Sequence, residues 1–314
     1  MKKIWLIGAG PMAQDYIKVL ENLDTDYLTV GRGENSAKTA QELSSQEVIV
    51  GGIENFLNTK PTCATYAIIA TPVQDLAKCA ELLMDYGVKH ILVEKPAGVD
   101  EQEITQLSQK ATSSNTDLIL AYNRRFYAST LKAEEMIEED GGVTSTHFEF
   151  TEWSHVIETL DKPEAIFQKW FLGNSTHVVD LAFYLAGTPK ELSAYTKGSV
   201  SWHDAASIFV GSGTTTKGAL FSYHANWEAP GRWQVEVLTK KHRYVFKPME
   251  ELKIIKIGSV KEEMVDIDYT LDKDYKPGLY KQTEAFLNND FSKHCTIVEQ
   301  LDKMKYYYSM ANYK

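Results

Sequence analysis

Two textures within one chain predict an α/β protein built in two parts. Up to Asn123, short aliphatic and β-branched runs alternate with helix-length amphipathic segments, the pattern of a mainly parallel sheet with helices on both faces. Beyond Asn123, strands follow one another with few helices between them, as in a mainly antiparallel open sheet with one covered face. A third observation is local: the turn Gly8-Ala9-Gly10-Pro11-Met12-Ala13 links the first apolar run to the first helical segment. At 314 residues the chain fits two domains with separate cores, drawn at 1–122 and 123–314, the closing helices being free to pack back on the first.

The elements follow in order. Lys3–Ile7 reads as a strand and Met12–Asn22 as a helix. Tyr27–Val30, Val48–Val50, Tyr66–Ala70, Ile91–Val93 and Leu118–Ala121 read as further strands. Between them Ser36–Leu43, Val73–Tyr86 and Gln102–Ala111 carry helical spacing. In the second part Ser129–Glu139 is an acidic helix, stopped by Gly141-Gly142 in the left-handed conformation that glycine adopts without penalty. From Ala219 to Trp227 the odd positions are apolar or aromatic and most even ones polar, and Trp233, Val235 and Val237 repeat the alternation. Arg243–Lys247 and Leu252–Ile257 are strand candidates, and Tyr280–Leu287 and Thr296–Met310 are closing helices.

Composition excludes several classes. An apolar content of 43 % and a charged content of 24 % are those of a globular protein. A net charge of -10 opposes binding to a phosphate backbone, so no nucleic-acid partner is expected. Cys63, Cys79 and Cys295 are odd in number and far apart, which supplies neither a disulfide framework nor a zinc site. The eight histidines add no ligand spacing, so no metal is expected, and a reducing cytoplasm suits the cysteines. The start Met1-Lys2-Lys3, followed by Ile4-Trp5-Leu6-Ile7, superficially imitates a leader, but the apolar stretch breaks at Gly8. No stretch is long enough to cross a bilayer, so no membrane partner is expected.

The glycine turn has a chemical reading. Gly8, Gly10 and Ala13 form Gly-x-Gly-x-x-Ala, which marks the Rossmann dinucleotide-binding fold. The first glycine permits the tight turn, the second a close approach of backbone to pyrophosphate, and the small third residue close helix–strand packing. Pro11, Met12 and Ala13 open the helix whose amino terminus faces the phosphates. The second strand leads into Gly31-Arg32-Gly33 with no acid at its tip. Arg32, assisted by Ser36 and Lys38, is available to clamp a 2′-phosphate, which favours NADP. Glu34 is close enough to reach a ribose hydroxyl, which keeps NAD possible. Thr71-Pro72 marks another sheet-end turn, read either as part of the cofactor crevice or as a plain strand-to-helix turn.

Glu94-Lys95-Pro96 closes the buried run His90-Ile91-Leu92-Val93, which puts a carboxylate and an amine at a strand's carboxyl end. Open α/β sheets bind ligands there. Together with Gly-x-Gly-x-x-Ala, Thr71-Pro72, Asn123-Arg124-Arg125-Phe126 and His177-Val178-Val179-Asp180, all in order, this segment makes the chain resemble the glucose-fructose oxidoreductase/inositol dehydrogenase (Gfo/Idh/MocA) family. The resemblance implies an NAD(P)-dependent oxidoreductase of sugar metabolism. It implies that Lys95 lies beside the nicotinamide and the reacting oxygen, and that His177 is a second catalytic or substrate-orienting residue. Physically, hydride transfer at a carbinol carbon needs a proton moved to or from its oxygen, and a desolvated lysine can do this. Glu94 either orients Lys95 or anchors the turn.

One position departs from the family pattern. Many members carry an aspartate four residues before this histidine, where this chain has Gly173 followed by Asn174. Asn174 is read either as a hydrogen-bonding substitute toward substrate or as the cap of the next helix. Asp180 would hold His177 in one tautomer or bind a substrate hydroxyl, sharing a helix face with it and with Tyr184. Arg124 or Arg125 is a candidate for an anionic group on the substrate, the other pairing with an acid such as Glu152. Trp153, His155 and Trp170 are candidates for stacking on a sugar ring or for core roles. The reading is therefore a cytoplasmic oxidoreductase acting on a secondary hydroxyl or carbonyl of a sugar, polyol or nucleotide-activated sugar. Self-association through the half-apolar sheet as a dimer or tetramer is expected. The alternative is a catalytically weak or inactive cofactor-binding sensor, supported by the missing aspartate.

Overall fold

A computed structural model describes residues 3–314; Met1 and Lys2, which begin the leader-like start, lie outside the described residues. The chain divides into two compact units. The first holds the described residues up to Asn123 together with Thr270–Asp302, and the second holds Arg124–Tyr269 with Lys303–Lys314.

In the first stretch β1 (Lys3–Ile7), α1 (Pro11–Asn22), β2 (Asp26–Val30), α2 (Glu34–Leu43), β3 (Val48–Ile49), α3 (Gly52–Asn58), β4 (Tyr66–Ile69), α4 (Val73–Tyr86), β5 (His90–Val93), α5 (Glu101–Ser114) and β6 (Asp117–Leu120) alternate along the chain. Next come α6 (Ala128–Glu139), β7 (Ser145–Glu149), α7 (Ser154–Ile157), α8 (Glu164–Gln168) and α9 (Thr176–Ala186). The strands β8 (Pro189–Lys197), β9 (Ile208–Thr215), β10 (Leu220–Asn226), β11 (Gln234–Leu238), β12 (His242–Phe246), β13 (Lys253–Lys256) and β14 (Glu263–Met264) follow. The chain closes with α10 (Thr270–Asp274), α11 (Leu279–Leu287), β15 (Cys295–Thr296) and α12 (Ile297–Ala311). Of these, the helices α3, α7, α8 and α10 and the strands β7, β8, β9, β14 and β15 carry no individual expectation from the sequence.

The sheet of the first unit runs β15-β6-β5-β4-β1-β2-β3. Every pairing from β6 to β3 is parallel, and only β15 joins antiparallel. Register aligns Ile49, Val30, Ile7, Ile69, Val93 and Leu120 in one row, so the loops after these residues leave from one edge. Strand order reverses between β1 and β4, and a crevice for a ligand opens at such a switch point. Aliphatic strands are needed because helices cover both faces. Ile4, Leu6, Ile68, Leu92 and Ile119 pack with Ala13, Tyr16, Ile17 and Leu20 of α1. Leu279 and Phe286 of α11 enter the same core with no exposure, and burying side chains of this size contributes about 1.5–3 kcal/mol each. The end of β6 is fastened to the same returning segment: Tyr122 hydroxyl donates to Gln300 at 3.1 Å, and Asn123 Nδ2 donates to the Pro277 carbonyl at 2.9 Å.

The second unit is one sheet, β14-β13-β12-β11-β7-β10-β9-β8, antiparallel except for the parallel pair β7–β10. The alternation read from Ala219 to Trp227 is its covered face: Ala219, Phe221, Tyr223, Ala225 and Trp227 are buried, while Leu220 is exposed. Phe183 of α9 covers them, with ring centroids 5.1 Å from Phe221 and 5.4 Å from Phe148. Helix α6 stops as predicted, Gly141 and Gly142 both taking positive φ.

Asp140, at that helix end, holds the turn before β12. Its Oδ2 accepts from the Tyr244 hydroxyl at 2.6 Å and the Thr239 hydroxyl at 2.8 Å, and lies 2.8 Å from His242 Nδ1. Burial pushes this carboxyl up, but the bonds from Tyr244, His242 and Thr239 outweigh it and bring it down to about 2. A carboxyl lowered in the fold adds stability above its unfolded value of about 3.9 and loses it as pH falls through the folded value. Asp140→Asn is therefore expected to be less stable than the parent at pH 7, with the difference shrinking between about pH 4 and 2. Parallel urea titrations of both chains at several pH values check this; a gap constant down to pH 2 would remove the role assigned to Asp140.

Candidate active site

The glycine turn is built around a close backbone contact. Gly8 has φ +123°, and a Cβ there would stand 2.4 Å from the Ala70 carbonyl oxygen. That approach is fixed by Gly8 N–H donating to Val30 O at 2.9 Å and Ala70 N–H to Ile7 O at 2.8 Å. Gly10 is different: a Cβ there would meet nothing within 4 Å, so its backbone fronts open space. Pro11 takes the first position of α1, leaving Met12 and Ala13 to supply the first-turn N–H donors.

The neighbouring loops leave the same edge. Arg32 follows β2 with 75 % of its side chain exposed and sits 3.3 Å from Asp75 Oδ2, in the first turn of α4. The Ser36 hydroxyl donates to the Gly33 carbonyl at 3.2 Å, within the opening turn of α2. Thr71 and Pro72 join β4 to α4, with Asp75 N–H donating to Pro72 O at 2.9 Å.

The segment Glu94-Lys95-Pro96 forms a turn closed by Ala97 N–H donating to Glu94 O at 3.0 Å. Lys95 lies at its bend with only 9 % exposure, and its peptide bond to Pro96 is cis. Tyr16, on the buried face of α1, donates its hydroxyl to Glu94 Oε1 at 2.9 Å. Burial, then the Glu94 carboxylate, push this hydroxyl well above its ordinary range, so it remains a donor. Glu94 thus ties the lysine turn to the helix of the glycine loop. Tyr16 was missed from sequence; its signal is a phenol among Ala13, Ile17 and Leu20.

In the second unit His177 is the second residue of α9, with its ring centroid 6.1 Å from that of Trp233. A π-helical turn, Phe171–Ser175, precedes α9, and such turns recur at functional sites. Gly173 lies in it, and a Cβ there would meet nothing within 4 Å. Ser175 is the residue before α9, so Asn174 is not the helix cap. Instead Asn174 Nδ2 donates to Glu152 Oε1 at 3.0 Å, and the Ser175 hydroxyl donates to the same oxygen at 2.8 Å. Burial pushes the Glu152 carboxyl up, against the opposing pull of Ser175, Arg232 and Asn174.

Two substrate assignments need correction. Arg125 and Asp180 are buried together: Arg125 Nε and Nη2 donate to Asp180 Oδ2 and Oδ1 at 2.8 and 2.6 Å. Lys303 Nζ donates to Oδ1 at 2.9 Å, and the three side chains are no more than 2 % exposed. Burial pushes the Asp180 carboxyl up, but Arg125 and Lys303 hold it below the usual carboxylate range. A carboxylate shared by two cations away from water is a structural triad, so neither Arg125 nor Asp180 is left to meet a ligand. The Glu152 partner is likewise not from the arginine pair: it is Arg232, at 3.5 Å.

Arg232 had drawn no attention in the sequence, where it only follows a Pro-Gly turn. Its guanidinium lies 4.7 Å from the Trp153 ring and 4.6 Å from the Trp233 ring, while that of Arg124 lies 4.9 Å from Trp233 and 5.8 Å from Tyr127. Trp153 is half exposed, its indole N–H donating to Gly231 O at 3.0 Å. It lines a cleft of about 590 Å³ with His155, Trp227 and Glu228. Trp170 is buried and packs against Phe167 and Trp202, in a core role.

Residues 2–122 match the family model of the Gfo/Idh/MocA group, described as "Oxidoreductase family, NAD-binding Rossmann fold". A sequence comparison with curated proteins finds no significant match. Among solved structures, UDP-N-acetylglucosamine 3-dehydrogenase from Acidithiobacillus ferrooxidans is 18% identical, with a TM-score of 0.74 over 99% of this chain and 96% of its own. Levoglucosan dehydrogenase in complex with NADH and L-sorbose is 16% identical, with a TM-score of 0.79 over 99% and 95%. An oxidoreductase from Agrobacterium radiobacter in complex with NAD+, L-tartaric acid and magnesium is 14% identical, with a TM-score of 0.74 over 97% and 94%. At these identities the likeness is one of fold across both units. Among the described residues no helix is long and apolar enough to cross a membrane. Residues 2–122 are thus similar to the Gfo/Idh/MocA oxidoreductases, whose family model describes an NAD-binding Rossmann fold.

Proposed function

We propose that this protein transfers hydride between a nicotinamide cofactor, preferentially NADP, and a secondary hydroxyl or carbonyl of a sugar, polyol or nucleotide-activated sugar. The observation that carries the reading is the common edge of the parallel sheet. The Gly8 turn, Thr71-Pro72 and the buried Lys95 turn all leave it, and Tyr16 to Glu94 links the first to the last. The dinucleotide's phosphates would lie against Gly10 and the first turn of α1, with Met12 and Ala13 as donors. When bound, the cofactor supplies or accepts the hydride. Lys95 supplies or removes the proton on the substrate oxygen, and His177 has the second proton-handling or orienting role. Fold neighbours that carry NADH with L-sorbose, or act on UDP-N-acetylglucosamine, support a sugar-like substrate.

The choice of NADP rests on Arg32. Its exposed pair with Asp75 is worth about 0–1 kcal/mol, whereas charge-assisted hydrogen bonds contribute about 1.5–3 kcal/mol. A 2′-phosphate therefore outcompetes Asp75 for the guanidinium. Asp75 itself supports a second reading: its carboxylate, 3.3 Å from Arg32, repels a phosphate and suits the bare ribose of NAD. Arg32→Ala separates the two. With NADP as cofactor it is expected to lower kcat/KM for NADPH about 10–100-fold and to leave the NADH value within threefold. Equal values for NADPH in parent and variant would give the site to NAD.

A further inference from the structure

Charges with little access to water are ordinarily paired, and the half-buried Arg124 breaks that rule. Its Nε is shielded from solvent without a hydrogen-bond partner, and among the described residues no carboxylate stands within ion-pair distance of it. Glu250 and Glu152 act on it only from farther away, and burial makes its charge harder to keep. The guanidinium rests on aromatic rings instead, 4.9 Å from Trp233 and 5.8 Å from Tyr127. The second guanidinium on Trp233, that of Arg232, is nearly half exposed and has Glu152 at 3.5 Å. Two cations thus lie against one indole, and among the described residues they share a single ion pair, Arg232 with Glu152, in a chain whose net charge is -10. The same indole has the His177 ring 6.1 Å away.

We infer that Arg124 and Arg232, held on Trp233 beside His177, form an anion subsite, and that the substrate is a sugar bearing a carboxylate or phosphate group. The inference rests on the proposed reading of His177 as part of the reaction site, and it replaces Arg125 with Arg232 as the second arginine. Stacking explains why the rings are there. A guanidinium resting on an indole is attracted by the ring face and still has N–H donors to offer an oxyanion. A neutral sugar would leave Arg124 without an anionic partner, so discrimination comes from the protein side as much as from the ligand.

The test is a binding titration of the full chain, read by intrinsic tryptophan fluorescence and calorimetry, with and without NADP. The ligands are inorganic phosphate, glucuronate, glucose 6-phosphate, a UDP-sugar and glucose. At least one anionic sugar is expected to bind tenfold or more tighter than glucose, with affinity falling as salt rises. The ranking of carboxylate, monoester and diphosphate assigns the group. Arg232→Gln, at an exposed position, is expected to lose that preference. Arg124→Met is expected to lose it while keeping or raising the melting temperature, because it removes a half-buried charge that has no ion-pair partner among the described residues. A merely structural arginine would lower the melting temperature instead. Binding of anionic and neutral sugars within threefold of each other overturns the subsite, as does an unchanged preference in Arg232→Gln. Turnover of neutral sugars alone would leave the oxidoreductase reading standing without the subsite. Tight anion binding with no turnover of any sugar would do the reverse.

Discussion

Lys95→Met is expected to lower kcat by about 10²–10⁴-fold, the usual contribution of a positioned general acid or base, while cofactor affinity stays within a few-fold. The side chain is buried at the bend of a hydrogen-bonded turn, at the sheet edge from which the Gly8 loop also leaves. Methionine keeps the length and apolar volume of the stem, so the turn survives and only the amine is lost. Lys95→Arg is the informative companion: it retains the charge but cannot release a proton near neutrality. If polarising a carbonyl were the whole role, arginine would restore much of the rate; if proton transfer matters, it restores little. Steady-state rates with a reactive sugar, beside nicotinamide fluorescence on cofactor binding, separate the chemical step from binding. A Lys95→Met rate within threefold of the parent would falsify the mechanism.

Asp180→Asn is expected to destabilise the second unit by about 3–5 kcal/mol, the cost of breaking a buried ion pair from one side. The amide keeps the shape but removes the negative charge that Arg125 and Lys303 share at 2.6–2.9 Å. At about 2–4 °C per kcal/mol for a domain of this size, the unfolding midpoint should fall by roughly 10 °C. The sign of the pH effect follows from the lowered carboxyl of Asp180. Its contribution is present above the ordinary aspartate value and fades as pH falls below it, so parent and variant should converge in acid. Calorimetric scans of both proteins at neutral and acid pH test this. A midpoint shift under 2 °C at neutral pH would mean that the triad contributes little. If instead Asp180 contacts substrate, the variant would keep its midpoint and lose KM.

The parts that were legible in the sequence are those in which local chemistry leaves few options. A strand buried on both faces must be aliphatic, so the runs ending at Ile7, Ile69, Val93 and Leu120 stood out, and their boundaries moved by a residue or two. Likewise a helix stop at Gly141-Gly142 is visible because few other residues take that backbone conformation. Strand β9 was not legible for a physical reason. Its covered face carries Gly211 and Gly213, where a Cβ would run into the Tyr223 and Phe221 rings at 2.4 and 2.8 Å. The apolar side chains that would have marked the strand are supplied by its neighbour. The helix α3 is seven residues, too short for a periodic signal to rise above a loop.

Within the site, residue type gave candidates but not partners. Arg124 and Arg125 are adjacent and identical, yet one is sealed against Asp180 and Lys303 while the other rests on an indole. Their partners decide this: Asp180 stands 55 positions along the chain from Arg125, and Trp233 is farther still from Arg124. Asn174 and Glu152 could not be paired from sequence, because 22 positions separate them. Arg232 carried no motif at all.

The sequence alone determined that Glu94-Lys95-Pro96 ends a buried parallel strand behind a dinucleotide turn, because strand burial, glycine geometry and helix dipoles act over a few residues. That Tyr16 holds Glu94, that Asp180 is closed inside an ion triad, and that Arg232 joins Arg124 on Trp233 emerges once the chain has folded. Pairing of charges is a property of distance in space, and a linear chain does not carry that distance.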